Sequence, residues 1–151
     1  LSSAASDVYK RQGSDIDTGG LVYLNGRDSS AQIMSRSISM GGHMCARGRL
    51  VGNAPGAKAH LECRSIIMKD GGSTNAVPEL EAHVADVEMT HEAAVGKIAQ
   101  DQIEYLMSRG LTEDEAVSMI VRGFLSGSIN GLPPALQQEL DAAIEQANLG
   151  D

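Results

Sequence analysis

The hydrophobic period of this chain changes within one stretch, residues 78–110, and the change limits the folds that the chain can adopt. In the first part of the stretch apolar residues recur at every second position, as Val87 and Met89 do, which is typical of a strand with one buried face. After Gly96 they fall on one stripe of a helix. The members of that stripe are Ile98, Ile103, Leu106 and Met107. The sequence therefore predicts a strand-rich part that is followed by helices.

Short strands are predicted throughout residues 13–91, because turn-forming residues interrupt this segment at close intervals. The turn signals lie at positions 19–20, 25–28, 41–42, 52–56 and 70–73. No helical stretch separates the strands, so they can pair as antiparallel hairpins or coil as a parallel solenoid, and the pattern leaves both open. Small alternating residues such as Ser35 and Ser37 favour coils with a narrow interior. A coiled segment of this length has room for about four coils of roughly 20 residues.

Three helices are predicted after residue 96. The first runs from about residue 99 to residue 109, with Gly110 just after its end, where glycine adopts the left-handed conformation easily. Thr112 and Glu115 form a T-x-x-E capping box that starts the second helix. The apolar face of the second helix is predicted to contain Ala116, Met119, Ile120 and Phe124. A third helix is predicted from residue 135 to about residue 147.

Composition disfavours several classes of function. The formal net charge of −8 is opposite in sign to a nucleic-acid-binding surface, which needs clustered Lys and Arg. No apolar run approaches the length of a membrane span. Cys45 and Cys63 form no C-x-x-C pair, and reduced thiols are typical of a cytoplasmic protein. The phosphate-binding pattern G-x-x-x-x-G-K-[ST] is missing from the sequence, so we expect no nucleotide hydrolysis and no enzyme of that kind.

Three sequence blocks are specific enough to indicate a family. They are P-E-L-E-A at 78–82, H-E-A-A-V-G-K at 91–97 and S-R-G-L-T-E-D-E-A at 108–116. The blocks resemble the carboxy-terminal region of the SufB/SufD family, the scaffold subunits of the SUF machinery for iron–sulfur cluster assembly. The resemblance runs from about residue 41 to about residue 125. It implies a mainly β fold with α, in which a right-handed parallel β-helix is followed by a small C-terminal helical domain.

The resemblance also sets the expected domain boundaries. Residues 13–96 are expected to form a β-helix core fragment, and residues 97–151 a C-terminal helical domain. Residues 1–12 lack periodicity and carry a basic pair near their end, so we expect a non-native or disordered leader there. Because no amino-terminal solenoid cap is recognisable, we expect the chain to be a fragment of a longer protein.

The resemblance implies three metal ligands, because each matches a position that is singled out in the family. Cys63 matches the SufB cysteine implicated in receiving sulfur or holding the nascent cluster, and a thiolate is the soft ligand that iron–sulfur chemistry needs. Glu81 matches a candidate SufB ligand whose hard carboxylate suits incoming iron, and His91 matches a SufD histidine proposed to lie at the SufB–SufD interface. The weaker candidates are Glu79, Glu92 and Cys45. Without the family these positions have ordinary interpretations: a small buried thiol, a solvated carboxylate and a structural histidine at a strand-to-helix turn.

The chain combines features of both subunit types. Arg64 follows Cys63 where SufB-type members usually have Asp, and a nearby guanidinium could favour the thiolate. The resemblance therefore leaves open whether the chain acts as a SufB-like or a SufD-like subunit, and whether it forms a homodimer or a heterodimer. It implies a transient iron–sulfur cluster and leaves flavin binding open.

The partners implied by the resemblance are a SufC-type ABC ATPase, a SufB/SufD-type paralogue or a second copy of the chain, and a sulfur donor system. We expect the helical segment to dock the ATPase through charged residues that face outward. These residues are Asp101, Glu104, Arg109, Glu113, Asp114 and Arg122. Two alternative functions are a metal-free solenoid interaction module and a left-handed solenoid acyltransferase with His91 as base. The acyltransferase needs a hexapeptide repeat that the sequence lacks.

Overall fold

The computed structural model describes residues 2–10, 15–126, 138 and 142, and it contains two parallel sheets and two complete helices. The chain divides into two compact units, Leu1–Val95 and Gly96–Asp151, which we call the strand unit and the helical unit. The division lies one residue before the expected boundary. The third predicted helix lies outside the described residues except for Gln138 and Ala142, which are both helical.

Strands alternate between the two sheets along the chain. Their bounds are β1 Ser2–Lys10, β2 Asp15–Leu24, β3 Ser30–Ser39, β4 His43–Gly52, β5 Ala57–Ile67, β6 Ser73–Ala82 and β7 Val87–Gly96. The odd sheet has the order β1-β3-β5-β7, and the even sheet has the order β2-β4-β6. Neighbouring strands pair in parallel, for example β3 with β5 and β4 with β6. This arrangement is β-helix-like, so the coiled alternative is confirmed and the hairpin alternative is wrong.

Each coil is longer than the sequence pattern predicted. The chain returns to the same place in the odd sheet after 28 residues, from Ser30 to Lys58, and in the even sheet after 30 residues, from His43 to Ser73. The expected 20 residues per coil is wrong because strands of about ten residues replace the shorter ones that turn signals suggested. One such signal, at positions 19–20, lies within β2.

The core of the strand unit lies between the two sheets and is built from small and aliphatic side chains. Its buried members are Leu24, Ala31, Ile33, Ala46, Leu50, Ala57, Ala59, Leu61 and Cys63. Gly48 shows how the sheets fit together, because a Cβ atom at this position would overlap the Cδ1 atom of Leu61. Glycine in the even sheet therefore makes room for a large aliphatic side chain from the odd sheet. In this way the core is densely packed although it contains no aromatic rings.

The segment that we expected to be a leader contains a strand. Ser2–Lys10 forms β1 and pairs in parallel with β3, from the pair Ser2 and Ala31 to the pair Lys10 and Ser39. Residues 2–10 show no alternation of apolar residues by which this strand could be recognised. The non-native origin of residues 1–12 stays a prediction.

Helix α1, Gln100–Ser108, and helix α2, Glu113–Leu125, follow in the helical unit. Gly110 has φ 100° after α1, as expected of a glycine that ends a helix. The capping box is confirmed, since the Thr112 backbone N–H donates to Glu115 Oε2 at 2.8 Å and the Glu115 N–H donates to Thr112 Oγ1 at 3.3 Å. Within the described residues, neither helix is long and apolar enough to cross a membrane.

The buried face of α2 differs from the predicted one. Its buried residues are Ala116, Val121 and Leu125, whereas Met119 is 53% exposed. The stripe is therefore rotated by about one residue from the predicted face. Several apolar residues of α2 are adjacent in sequence, and periodicity alone does not decide which of two neighbours packs inward.

Candidate functional site

Cys63 lies on the inner face of β5 and belongs to the core of the strand unit. Only 4% of the residue is exposed, and it is in register with Ser35 of β3. Burial raises the pKa of the thiol, and the negative charge of Glu62 raises it further. The side chain is therefore a protonated thiol at neutral pH in this conformation, and it becomes a good ligand for a soft metal only after deprotonation.

Arg64 does not activate this thiol, contrary to the expectation from sequence. Successive side chains of a strand point to opposite faces, so Arg64 lies on the outer face of β5. Its Nη2 atom donates to Glu92 Oε1 at 2.8 Å. Its Nε atom lies 3.0 Å from Glu62 Oε1, a close ionic contact without hydrogen-bond geometry. Two carboxylates thus neutralise the guanidinium, which leaves the pKa of Cys63 raised.

Glu81 lies on the outer face of β6, in register with Val51. Both of its carboxylate oxygens have partners: Arg49 Nη2 donates to Oε2 at 2.6 Å, and His83 Nε2 lies 2.5 Å from Oε1. The hydrogen bond from Arg49, and to a smaller extent the one with His83, lowers the pKa of Glu81. The group is ionised at neutral pH, and an iron ion that bound it would compete with Arg49 and His83.

His91 lies within β7, not at a strand-to-helix turn as its sequence position suggested, because the strand continues to Gly96. On the outer face, Thr90 pairs with His60 at 2.8 Å, and Glu92 pairs with Arg64. By the alternation of the strand His91 therefore shares the inner face with Val87 and Met89, which pack against the core. Unlike them, His91 is exposed.

The three predicted ligands do not form one preassembled centre. Cys63 and His91 lie on the inner face of the neighbouring strands β5 and β7, whereas Glu81 lies on the outer face of the other sheet. No group of three or more His, Cys, Asp or Glu side chains in the described parts of the chain could hold a metal ion. The described residues therefore do not supply a complete metal site by themselves.

Of the three weaker ligand candidates, two carboxylates lie against arginines and the third is a half-buried cysteine. The Glu79 carboxylate lies 3.6 Å from Arg49, and Glu92 is bound by Arg64. Cys45 is a half-buried free cysteine of β4, in register with Asp17 and Asn75. None of them is brought together with Cys63 in a metal-binding group of the described residues.

The sequence reading missed the arginines that hold the candidate carboxylates. Arg49 and Glu81 are 32 residues apart, and Arg64 and Glu92 are 28 apart. These separations equal about one coil, so the pairs could have been recognised only from a correct coil length. The assumed 20 residues per coil places different residues opposite each other.

The six charged residues that were expected to face outward from the helices are all exposed. One of them, Arg109, lies over the ring of Tyr105, 5.2 Å from its centroid. An open groove of about 570 Å³ runs along α2. It is lined by Leu111, Asp114, Glu115, Ser118, Met119 and Arg122. The helical unit thus presents apolar and charged groups side by side.

Comparison with known proteins gives a consistent result over most of the chain. A family model described as "SUF system FeS cluster assembly, SufBD core domain" matches residues 4–124. A protein of Archaeoglobus fulgidus named iron–sulfur cluster assembly SufBD family protein is 52% identical over 142 residues, which cover 94% of this chain and 38% of that protein. A SufBD family protein of Methanothermobacter thermautotrophicus (strain Winter) is 50% identical over 136 residues, covering 89% and 33%.

A more distant match comes from Mycobacterium bovis. This SufBD family protein is 36% identical over 132 residues, which cover 85% of the chain and 16% of the relative. The chain therefore spans between 16% and 38% of the length of these three curated relatives.

Proposed function

Because the chain belongs to the SufBD core-domain family of the SUF system, we propose that it is part of a scaffold subunit for iron–sulfur cluster assembly. The observation that carries the proposal is the free, buried thiol of Cys63, at the position where the family resemblance implies a cluster-assembly cysteine. In this proposal the subunit is not an enzyme. It holds sulfur and iron during assembly, and a SufC-type ABC ATPase supplies the energy of nucleotide hydrolysis.

The proposed role of Cys63 is to receive sulfur or to hold the nascent cluster, which is the cargo of the scaffold. A deprotonated thiolate is the soft donor that this cargo requires. Since burial raises the pKa of Cys63, the thiol has to become accessible before it can act. In this proposal ATP-driven movement of the scaffold supplies that opening, which is why the ATPase belongs to it.

Glu81 and His91 are proposed to retain incoming iron. Because the described residues supply no complete metal group, the remaining ligands in this proposal come from a second SufB/SufD-type subunit, either a paralogue or another copy of the chain. Sulfur is delivered by a separate donor system. The free cysteines suit a reducing, cytoplasmic setting. Flavin binding stays a prediction.

Anaerobic reconstitution with ferrous iron and sulfide tests this proposal, with cluster loading followed by visible absorbance. We expect Cys63→Ala to lose most of the loading and Cys45→Ala, the matched control, to retain it. We also expect Glu81→Ala and His91→Ala each to weaken iron retention more than His43→Ala. Equal loading in the parent and in Cys63→Ala would exclude Cys63 from the site, and a parent that binds no iron would favour a metal-free interaction module.

The proposed docking site for the ATPase is the groove along α2. Apolar residues Leu111 and Met119 flank charged Asp114 and Arg122 there, and such a mixed surface suits a reversible partner. A pull-down with the ATPase compares Met119→Glu with Tyr23→Glu, since these side chains are similarly exposed at 53% and 55%. We expect only Met119→Glu to reduce binding. Loss of binding with Tyr23→Glu alone would move the interface to the strand unit.

A further inference from the structure

The second half of β7 is held differently from the first half. Val87 and Met89 pack against the core of the strand unit, but every residue from His91 to Gly96 is exposed. Val95, the large apolar residue of this half, is 46% exposed. Hydrophobic burial therefore fixes the start of β7 and contributes little to its end.

Polar contacts on the outer face tie β7 to β5. Glu88 lies 3.1 Å from Lys58, Thr90 lies 2.8 Å from His60, and Glu92 accepts a hydrogen bond from Arg64 at 2.8 Å. Within the described residues, Glu92 is the only member of the exposed half of β7 with a side-chain polar contact. The Arg64–Glu92 pair therefore links the exposed half of β7 to β5.

Arg64 is well placed to hold the end of β7 because its other side is anchored. Its Nε atom lies against Glu62, whose side chain is only 10% exposed and accepts a hydrogen bond from Arg36 at 2.8 Å. The Arg36 side chain is 12% exposed, so Arg36 and Glu62 form a nearly buried ion pair beside the Arg64 guanidinium. An anchored arginine loses less side-chain entropy on pairing than a free one.

The anchored strand is also the strand that carries the thiol. Cys63 immediately precedes Arg64 and points inward, and β5 has only β3 and β7 as neighbours in the odd sheet. No described strand lies beyond β7. The second half of β7 therefore borders the thiol-bearing strand on a side of the odd sheet that no other described strand covers.

We propose that the Arg64–Glu92 pair is a latch that keeps the end of β7 against β5 and so controls access to the Cys63 thiol. In this role Arg64 is a positioning residue, and Glu92 is its partner in the closed state. The functional meaning of the latch rests on the proposed role of Cys63 in cluster assembly. The latch itself is a property of the coil and is testable without iron or sulfide.

The test measures the alkylation rate of each cysteine by mass spectrometry in the full chain, with Cys45 as the internal reference. An exposed ion pair of this kind shifts an opening equilibrium by about two- to five-fold, so Arg64→Gln and Glu92→Gln should each raise the Cys63 rate by that factor. The Cys45 rate should not change.

The two single variants distinguish a latch from a direct effect of charge on the thiol. Removing the positive charge of Arg64 disfavours the thiolate, whereas removing the negative charge of Glu92 favours it, so a direct effect changes the two rates in opposite directions. A latch raises both. Opposite changes, unchanged rates, or equal increases at Cys63 and Cys45 would overturn the proposal. If the parent failed to load a cluster, the proposed function would be contradicted, but the latch would not be.

Discussion

The strand unit and the helical unit are stabilised by contacts of different range. In the strand unit most side-chain pairs join residues about one coil apart, such as Arg49 with Glu81, at a separation of 32. In the helical unit they join residues three or four apart, such as Thr112 with Glu115 and Tyr105 with Arg109. The strand unit therefore depends on the register of distant segments, and the helices depend on their own ends.

The same difference applies to packing. In the strand unit Leu61 from the odd sheet fills the space over Gly48 in the even sheet, and both are buried. The helices have fewer buried residues, among them Ile103, Ala116 and Val121, and they keep Tyr105 and Met119 exposed. Substitutions in the coil interior should therefore cost more free energy of unfolding than substitutions at the helix caps.

The largest effect is expected from Leu61→Ala, which leaves a cavity between the sheets. Leu61 is fully buried, and such a truncation lowers the free energy of unfolding by about 2–5 kcal/mol. Chemical denaturation followed by far-ultraviolet circular dichroism measures the loss. Leu21→Ala is the control, since Leu21 is 51% exposed and should change the free energy by less than about 0.5 kcal/mol. Similar losses in both variants would contradict a core between the sheets.

Replacing one glycine by alanine in each unit should change the free energy of unfolding in opposite directions. Gly48→Ala places a Cβ atom against the Leu61 side chain, and we expect a loss of about 1–3 kcal/mol in the free energy of unfolding. Gly123 lies within α2, where an added Cβ meets nothing within 4 Å, so Gly123→Ala should stabilise the helix by about 0.5–1 kcal/mol. The same denaturation experiment applies, and stabilisation by Gly48→Ala would disprove the close approach of the sheets.

The smallest effect is expected from the pH dependence of the α2 cap. Hydrogen bonds from the Thr112 backbone and side chain lower the pKa of Glu115 in the folded chain. The contribution of the cap is therefore present above the pKa of an unfolded glutamate, about 4.3, and is lost as the pH falls through the lower folded value. Helix content by circular dichroism should differ between the parent and Glu115→Gln at neutral pH, and the difference should vanish in acid.

Glu104→Gln is the control for that titration, because Glu104 is exposed on α1 and forms no cap. It should not change the helix content at any pH in the same range. A difference between the parent and Glu115→Gln that persisted in acid would mean that the carboxylate is not the stabilising form.

Several features were determined by the sequence itself because their causes are local. The order of strands before helices follows from a change of hydrophobic period. The start of α2 follows from Thr112 and Glu115, and the end of α1 follows from Gly110. The family blocks at 78–82, 91–97 and 108–116 also indicated the family that the comparison confirmed. Each of these signals lies in one continuous stretch of sequence at the feature that it predicts.

The coil length, the partners of Glu81 and Arg64, and the separation of Glu81 from Cys63 were decided only by the tertiary structure. Each depends on which residues stand opposite each other after 28–30 residues of intervening chain, and no local pattern encodes that register. The face on which a ligand lies follows from the same register, since one residue more or less along a strand turns its side chain to the other side of the sheet. Cys63 and His91 share an inner face and Glu81 does not because the packing of Leu61 and its neighbours between the sheets fixes the strands in that alignment.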